Sequence, residues 1–227
     1  MPRVGIITGT DREAACLDVI PARERPPVVF TGGGASRTEM GARALLGEGC
    51  MAIASVGTAG GLAGGLAAGS LILPERVIGG AESFGVDAGW RAALVALAER
   101  GGLTVAAGDM AHSESVLHTV ADKQALQAAT GAVAVDMESL PAARVAAQAG
   151  VPFVVVRVVV DEAGRALPRV ASAAMIDDGR IRVDRLLGAL AARPWEIVAL
   201  VRLGRASTRA FRMLRRVAAL AGPGLGL

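Results

Sequence analysis

Hydrophobic residues along the chain form short β-branched runs that alternate with glycine-rich turns and amphipathic stretches. The runs predict strands, which cover residues 3–8, 28–31, 51–56, 71–74, 103–107, 132–135 and 151–160. Apolar positions at helical spacing predict helices over residues 37–46, 88–99 and 138–149, the last of them closed by Gly150. This alternation predicts α/β layering with a substantially parallel central sheet.

Two stretches depart from this regular pattern. Residues 49–74 contain no charged side chain, and the stretch is long enough to cross a bilayer. However, seven of these residues are glycines, and clustered glycines are typical of turns. We therefore expect a buried strand, a glycine-rich turn and a second strand. Residues 165–182 are irregular and predict a mobile loop.

Composition excludes several classes of protein. Hydrophobic residues make up 52% of the 227 residues, charged residues 20%, and the mean hydropathy of +0.48 excludes an intrinsically disordered chain. Aromatic residues are only 3%, with no tyrosine, so a surface that stacks nucleic-acid bases is not expected. The two cysteines form no disulfide framework, and no Cys/His cluster has zinc spacing. A cytoplasmic protein that needs no metal fits these features.

The positive charge is concentrated at the C-terminus. The whole chain carries +3, but residues 193–227 contain seven arginines and one glutamate. From Pro194 onwards, five of these arginines recur every three or four residues, which predicts an amphipathic helix with a basic face. We therefore divide the chain into a main domain, residues 1–192, and a basic C-terminal helix, residues 193–227. Such a helix can dock on protein or lie on anionic lipid at the inner membrane face.

Three glycine-rich loops are predicted directly after strands, at residues 9–10, 32–34 and 57–61. Glycine lets backbone N–H groups approach an anion or a sugar closely. A single loop of this kind is more often a tight turn than a ligand loop. Because strand ends meet at one edge of an α/β sheet, three such loops together favour a crevice for phosphate or ribose.

Two carboxylates stand at the ends of predicted strands. Asp161 ends the apolar run of residues 153–160, where partial burial would make it a usable general acid. The alternative is that it caps the following segment. Glu138 lies where a strand leads into a helix, and there it can serve the site or simply complement the helix dipole.

Three motifs together resemble a known superfamily. They are Gly-Thr-Ala-Gly-Gly-Leu at residues 57–62, Val-Asp-Met-Glu-Ser at 135–139 and Val-Arg-Val-Val-Val-Asp at 156–161. In order and spacing these motifs resemble the purine nucleoside phosphorylase and methylthioadenosine/adenosylhomocysteine nucleosidase superfamily. The resemblance implies that residues 1–192 are a nucleoside phosphorylase-like catalytic domain. Its fold would be a three-layer α/β/α sandwich of the nucleoside phosphorylase type with a mixed, largely parallel central sheet. Pro152-Phe153, Ala-Leu-Pro at 166–168 and the arginine-rich C-terminus are most similar to the hopanoid-associated phosphorylases, also called adenosylhopane nucleosidases.

The resemblance implies a role for each matching residue. Asp161 would protonate the leaving purine and Glu13 would orient the attacking water. Glu138 would bind the ribose hydroxyls, with Met137 beneath the sugar. Further positions complete the implied site: Gly60, Met110 and His112 for the substrate, and Gly33, Arg37 and Thr58 for phosphate or water. Two departures stand out, because Val160 replaces an orienting serine and Ser55 replaces a phosphate-binding arginine.

The resemblance implies that the protein cleaves adenine from an adenosyl-lipid such as adenosylhopane, in hopanoid biosynthesis. It would act as a homodimer without a cofactor, with inorganic phosphate as co-substrate if the reaction is phosphorolysis. Membrane contact would involve residues 193–227, and no nucleic acid would bind. One alternative is a soluble purine nucleosidase for methylthioadenosine, adenosylhomocysteine or futalosine. A second is a catalytically silent nucleoside-binding protein.

Overall fold

The computed structural model describes residues 2–174 and 183–227. The strands in this part of the chain are β1 Val4–Thr8, β2 Val28–Phe30, β3 Ala52–Gly61, β4 Leu71–Ile72, β5 Arg76–Gly79, β6 Glu82–Gly85, β7 Val105–Ala106, β8 Met110–His112, β9 Ala134–Asp136 and β10 Phe153–Asp161. The helices are α1 Asp11–Ala14, α2 Ala35–Gly47, α3 Ala88–Arg100, α4 Val120–Thr130, α5 Ser139–Ala149, α6 Arg169–Ala174, α7 Val183–Ala192 and α8 Ile197–Ala221.

The strands form one sheet in the order β6-β5-β8-β9-β3-β10-β4-β7, with β1 beside β3 and β2 beyond β1. Most neighbouring strands are parallel, and the antiparallel pairs are β3/β9, β4/β10 and β5/β6. Helices cover both faces. The predicted fold class, a mixed and largely parallel sheet between helices, is therefore confirmed.

Two hydrophobic cores lie on opposite faces of the sheet, and β10 contributes to both. Val154, Val156 and Val158 pack on the face covered by α3 and α8. Phe153 and Val155 pack on the face covered by α2 and α5. Successive side chains of a strand point to opposite faces, so a central strand covered on both sides must be apolar at nearly every position. The uninterrupted hydrophobic run of residues 151–160 follows from this placement.

One edge of β3 has two different partners, and the gap between them opens the sheet. At its N-terminal end β3 pairs with β1 as far as Ser55. At its C-terminal end the same strand pairs with β9 from Gly60 onwards. Between these two pairings the backbone of residues 56–59 has no strand neighbour on that side, so its polar groups are available to side chains.

The structure corrects the prediction of a glycine-rich loop at residues 57–61. These residues continue β3, because β10 pairs with the strand as far as Gly60. The uncharged stretch 49–74 does contain two strands, β3 and β4, separated by a turn, as predicted. Among the described residues no helix combines the length and the apolarity needed to cross a membrane.

The segment predicted as a loop at residues 165–182 is also partly ordered. Residues 169–174 form α6, so the prediction is wrong there, and residues 175–182 lie outside the described part of the chain. The strands β5, β6 and β8 and the helix α4 were not predicted from the sequence.

The helix α8 has two distinct halves. Its C-terminal half buries Ala210, Leu214 and Val217 in the same core as β1, β3 and β10. Around its N-terminal end apolar side chains stay exposed, including Trp195 in the preceding 3₁₀ turn and Val198. The helix is therefore anchored in the core by its C-terminal half, while at its N-terminal end Glu196 accepts a hydrogen bond from the backbone N–H of Val170.

Candidate active site

Glu13 lies at the opening along β3 and accepts hydrogen bonds at both carboxylate oxygens. Its Oε2 accepts from the backbone N–H groups of Gly9 and Thr10, each at 2.9 Å. Its Oε1 accepts from the backbone N–H and from the hydroxyl of Thr58, each at 2.7 Å. Thr10 also caps α1 through its hydroxyl, so a capping box fixes the glutamate locally. The backbone N–H groups of the segments at residues 9–10 and 57–61 that could bind a ligand thus donate to the carboxylate of Glu13.

Arg157 lies behind Glu13, in the middle of β10, and is fully buried. Its Nε donates to Asp136 Oδ2 at 2.5 Å, and its Nη2 donates to Ser55 Oγ at 2.8 Å and to Glu138 Oε2 at 3.2 Å. Its Nη1 has no hydrogen-bond partner among the described residues. This guanidinium is the positive charge around which the buried carboxylates gather.

Gly57 allows this arrangement to form. A Cβ atom at this position would lie 2.3 Å from Arg157 Nη1 and 2.9 Å from Glu13 Oε1. Both distances are shorter than van der Waals contact, so only glycine lets the guanidinium and the carboxylate approach β3 here. The unpartnered Nη1 and Glu13 Oε1 thus lie against the same point of the strand.

Glu138 and Glu13 flank a second glycine. A Cβ atom on Gly9 would lie 2.7 Å from Glu138 Oε1 and 3.2 Å from Glu13 Oε2. Burial raises the pKa of Glu138 to about 8; Arg157 opposes this shift, and the negative charges of Asp136 and Glu13 add to it. The two glutamates predicted from the resemblance are therefore neighbours, and one of them binds its proton unusually tightly.

The cluster as a whole is rich in negative charge. Three carboxylates, those of Glu13, Asp136 and Glu138, surround the single guanidinium of Arg157. Ser139 donates to Asp136 and so helps to hold the network. Within residues 2–174 and 183–227 no group of three His, Cys, Asp or Glu side chains is arranged to hold a metal ion. The cluster is therefore suited to groups that donate protons, such as sugar hydroxyls and water, rather than to an anion.

Asp161 ends β10 and lies beside Gly60 of β3. A Cβ atom on Gly60 would lie 3.4 Å from each carboxylate oxygen of Asp161. The ammonium group of Lys123 donates to Oδ2. Burial raises the pKa of the Asp161 carboxyl, and the neighbouring Lys123 opposes the shift. Because Thr58 and Gly60 are two residues apart on one strand, the contact points of Glu13 and Asp161 on β3 are separated by about 7 Å.

Three other predicted residues, Gly33, Arg37 and Met137, lie in or beside the loop at residues 32–34. The terminal methyl group of Met137 is 3.8 Å from where a Cβ of Gly33 would be, so these two are neighbours. Arg37 is exposed and donates to the carbonyl oxygens of Gly32 and Gly33, which stabilises that loop. Its hydrogen bonds are therefore directed at the backbone.

Two predicted base-binding residues lie on β8. Met110 is fully buried in the core with Val77 and Leu140, and it offers no open surface to a base. His112 is paired in register with Asp136, and its Nε2 lies 3.3 Å from Glu114 Oε1. The structure does not bring Met110 into the cluster around Glu13.

The sequence analysis missed the charged residues that support the site. Arg157 gave a detectable signal, because a charge inside a strand covered on both faces requires a buried partner. Asp136 belongs to the motif at residues 135–139, and its carboxylate could have been proposed as the partner of Arg157. Lys123 gave no signal in its local sequence, since it lies on a helix whose other residues are at least partly exposed.

The sequence of this chain matches a known family. Residues 21–193 match the sequence profile of the Phosphorylase superfamily, which is about three quarters of the chain. The chain belongs to the Phosphorylase superfamily. No curated protein sequence matches it.

Solved structures similar to this Phosphorylase superfamily protein are nucleosidases. A mutant of Helicobacter pylori MTAN with 5′-methylthioadenosine in its active site has 15% identity and a TM-score of 0.70, covering 96% of this chain and 98% of that chain. The 5′-methylthioadenosine/S-adenosylhomocysteine nucleosidase of Neisseria meningitidis, in complex with methylthio-immucillin-A, has 17% identity and the same score, with 96% and 99% covered. Futalosine hydrolase of Helicobacter pylori has 16% identity and a score of 0.68, with 95% and 97% covered.

At these identities the likeness concerns the fold. The match to the family profile ends at residue 193, before α8. The structural matches, in contrast, cover 96% of the chain, and the uncovered 4% is too short to contain the whole of α8. The basic helix of this superfamily member is therefore part of the fold that it shares with these structures.

Proposed function

We propose that the protein hydrolyses the N-glycosidic bond of a purine nucleoside, with water as the nucleophile. The observation that carries this proposal is the placement of Glu13. Its carboxylate accepts the backbone donors of Gly9, Thr10 and Thr58, next to a second carboxylate on Glu138 and some 7 Å along β3 from Asp161. This spacing suits a ribosyl group at one end of the cleft and a base at the other.

The chemistry of the bond matches the two ends of the cleft. As the bond to the base breaks, positive charge develops on the ribose and negative charge on the base. Glu13 would stabilise the ribosyl cation, while Glu138 binds the sugar hydroxyls. Asp161, whose pKa is raised by burial, would donate a proton to the leaving base. Met137 beside Gly33 would support the sugar ring.

Water is favoured over phosphate by charge. The backbone N–H groups that would hold an anion already donate to Glu13. A phosphate at this place would face the carboxylate of Glu13, and like charges at such distances repel. Arg37, a predicted phosphate ligand, donates to loop carbonyls instead. Glu13 has the position and the chemistry to accept a proton from water.

The proposed substrates are nucleosides with a modest 5′ substituent, such as methylthioadenosine, adenosylhomocysteine or futalosine. Support comes from the shared fold of nucleosidases for such compounds, together with the carboxylate cluster described above. The direct test is base release from these three nucleosides, with and without inorganic phosphate. We expect a free sugar product and no acceleration by phosphate. Tight nucleoside binding without base release would instead indicate a silent binding protein.

A second candidate, an adenosyl-lipid such as adenosylhopane, is favoured by a cavity beside Asp161. The cavity has a volume of about 430 Å³ and extends from Asp161 to the basic side of α8, where Arg202 and Arg205 line it. Its wall also includes Leu167 and Leu203, so part of the lining is apolar. Including adenosylhopane in the base-release assay separates the two candidates.

Membrane contact through the exposed end of α8 belongs to this second candidate. Trp195 is 72% exposed and Val198 55% exposed, next to the arginines of the helix. An aromatic and aliphatic patch with neighbouring arginines suits an anionic lipid surface. We expect Trp195→Ser to reduce flotation with vesicles of phosphatidylcholine and phosphatidylglycerol. Met40→Ser, which removes a residue 67% exposed on α2, is the matched control. Equal flotation of both variants and the wild type would contradict membrane contact at this patch.

A further inference from the structure

Lys123 is the single lysine of the chain, because the other 23 of its 24 basic residues are arginines. Of the residues in α4, Lys123 is the buried one, with 1% of its surface exposed. Burial of an ammonium group is costly unless the group is paired and hydrogen-bonded. A charged side chain at the one buried position of a helix therefore needs an explanation beyond packing.

All three protons of the ammonium group have an acceptor. Nζ donates to Asp161 Oδ2, to the carbonyl oxygen of Glu162 at 2.9 Å and to the carbonyl oxygen of Arg165 at 3.0 Å. These acceptors all belong to the end of β10 and the segment after it, 38 or more residues from Lys123. A compact group with three rotatable donors satisfies this arrangement, whereas a planar guanidinium does not. The chemistry of the site thus accounts for a lysine in a chain that otherwise uses arginine.

The hydrogen bond with Lys123 engages only one of the two carboxylate oxygens of Asp161. Lys123 holds Oδ2, and no hydrogen bond is recorded at Oδ1 among the described residues. Both oxygens lie beside Gly60, near the C-terminal end of β3. The lysine therefore restricts rotation of the carboxyl group while Oδ1 stays available to a base.

We propose that Lys123 is the positioning residue of the acid Asp161, which it holds in the orientation for proton transfer to the leaving base. This inference rests on the proposed function. The proton of the Asp161 carboxyl moves to the purine as the glycosidic bond breaks, and the electron pair of that bond stays on the purine. Water adds its oxygen to the ribosyl carbon and gives a proton to Glu13. The Asp161 carboxylate that remains is paired with the Lys123 ammonium group, which keeps its own protons.

Lys123→Met removes the charge and the donors while keeping the length of the side chain. With methylthioadenosine as substrate, we expect kcat to fall about 100-fold, within the range of general acid catalysis, and KM to change by less than about threefold. Gln124→Met is the matched control, since residue 124 is exposed on the same helix. A kcat of Lys123→Met equal to that of the control would overturn the inference.

A double-mutant cycle separates positioning from a merely structural role. If Lys123 acts through Asp161, Lys123→Met causes no further loss of kcat in an Asp161→Asn background. Lys123→Met alone leaves the buried Asp161 carboxylate without its partner and can therefore fail to fold. The double variant contains neither charge, so it can be compared with Asp161→Asn even in that case. An equal loss in both backgrounds would overturn the inference.

The single lysine permits a readout that is independent of activity. Protein labelled with nitrogen-15 at lysine Nζ gives one lysine side-chain signal. In the wild type we expect the protons of this ammonium group to exchange slowly with solvent. We also expect the chemical shift of the signal to change clearly in Asp161→Asn but not in Gln124→Met. A signal with the fast exchange of an exposed lysine would overturn the contact itself. Wild-type protein that releases no base from any nucleoside would overturn the proposed function and the inference together. An active wild type with a fully active Lys123→Met variant overturns the inference alone.

Discussion

Glu138 binds a proton far more tightly in the folded protein than in the unfolded chain. Burial raises its pKa from an ordinary value of 4.5 to about 8, against the opposing charge of Arg157. Between these two values the folded state holds a proton that the unfolded chain has released. Raising the pH therefore favours unfolding, and the stability contributed by this proton is lost as the pH rises towards 8.

The size of the effect follows from the shift. Each pH unit between the two pKa values changes the free energy of unfolding by about 1.4 kcal/mol. Between about pH 5 and about pH 7.5 the free energy of unfolding of the wild type should therefore fall by about 3 kcal/mol more than that of a variant in which this group cannot titrate. Glu138→Gln is that variant, because it keeps the shape of the side chain and removes the titration.

Urea denaturation at several pH values measures this difference. Titrating groups outside the cluster contribute equally to wild type and variant, so the difference in slope reports Glu138 together with its charged neighbours Arg157, Asp136 and Glu13. Glu99→Gln, at an exposed position of α3, is the matched control and should keep the wild-type slope. If Glu138→Gln and the wild type show the same pH dependence, the carboxyl is not protonated by burial and the reasoning fails.

Two further substitutions test the charge cluster. Gly57→Ala should cost about 1–3 kcal/mol of unfolding free energy by overpacking, because its Cβ would lie 2.3 Å from Arg157 Nη1. Gly64→Ala, which meets no atom within 4 Å, should be near neutral; equal urea midpoints of the two would contradict the close approach. Arg157→Met should cost about 3–5 kcal/mol, since it leaves two buried carboxylates without their partner. Wild-type stability of Arg157→Met by the same measurement would show that the guanidinium is not essential to the cluster.

The layered fold could be predicted from the hydrophobic pattern, because strands buried on both faces have few alternatives. The run at residues 151–160 led directly to β10, and Gly150 marked the end of α5. The short strands β5, β6 and β8 could not be predicted in this way. Each has only three or four residues, so its conformation is stabilised by the neighbouring strands of the sheet more than by its own sequence.

The glycines at residues 57–61 illustrate a different limit. Glycine usually indicates a turn, and the sequence alone offered no reason for glycine inside a strand. The reason is tertiary: Gly57 makes room for Arg157 and Glu13, and at Gly60 a Cβ would lie 3.2 Å from Cγ1 of Val135 on β9. The same contacts make residues 57–61 part of the site instead of a loop beside it.

The main site residues could be predicted only from the resemblance, and the charged residues that support them were found only in the structure. The motifs suggested Glu13, Glu138 and Asp161, and the fold brings the first two together beside Gly9. Neither Lys123 nor the full set of Arg157 partners could be read from local sequence, because these pairs join residues that are between 18 and 102 positions apart. The role of Met110 at the base stays a prediction that came from the resemblance alone, and in the structure its side chain is buried in the core with Val77 and Leu140.

In the proposed reaction, water activated beside Glu13 cleaves the glycosidic bond. The decisive experiment is mass spectrometry of the products from methylthioadenosine, with the reaction run in oxygen-18 water and with inorganic phosphate present. Hydrolysis predicts free adenine and a free sugar that carries the heavy oxygen at its reducing carbon. A sugar phosphate without the heavy oxygen, or no adenine at all, would contradict it.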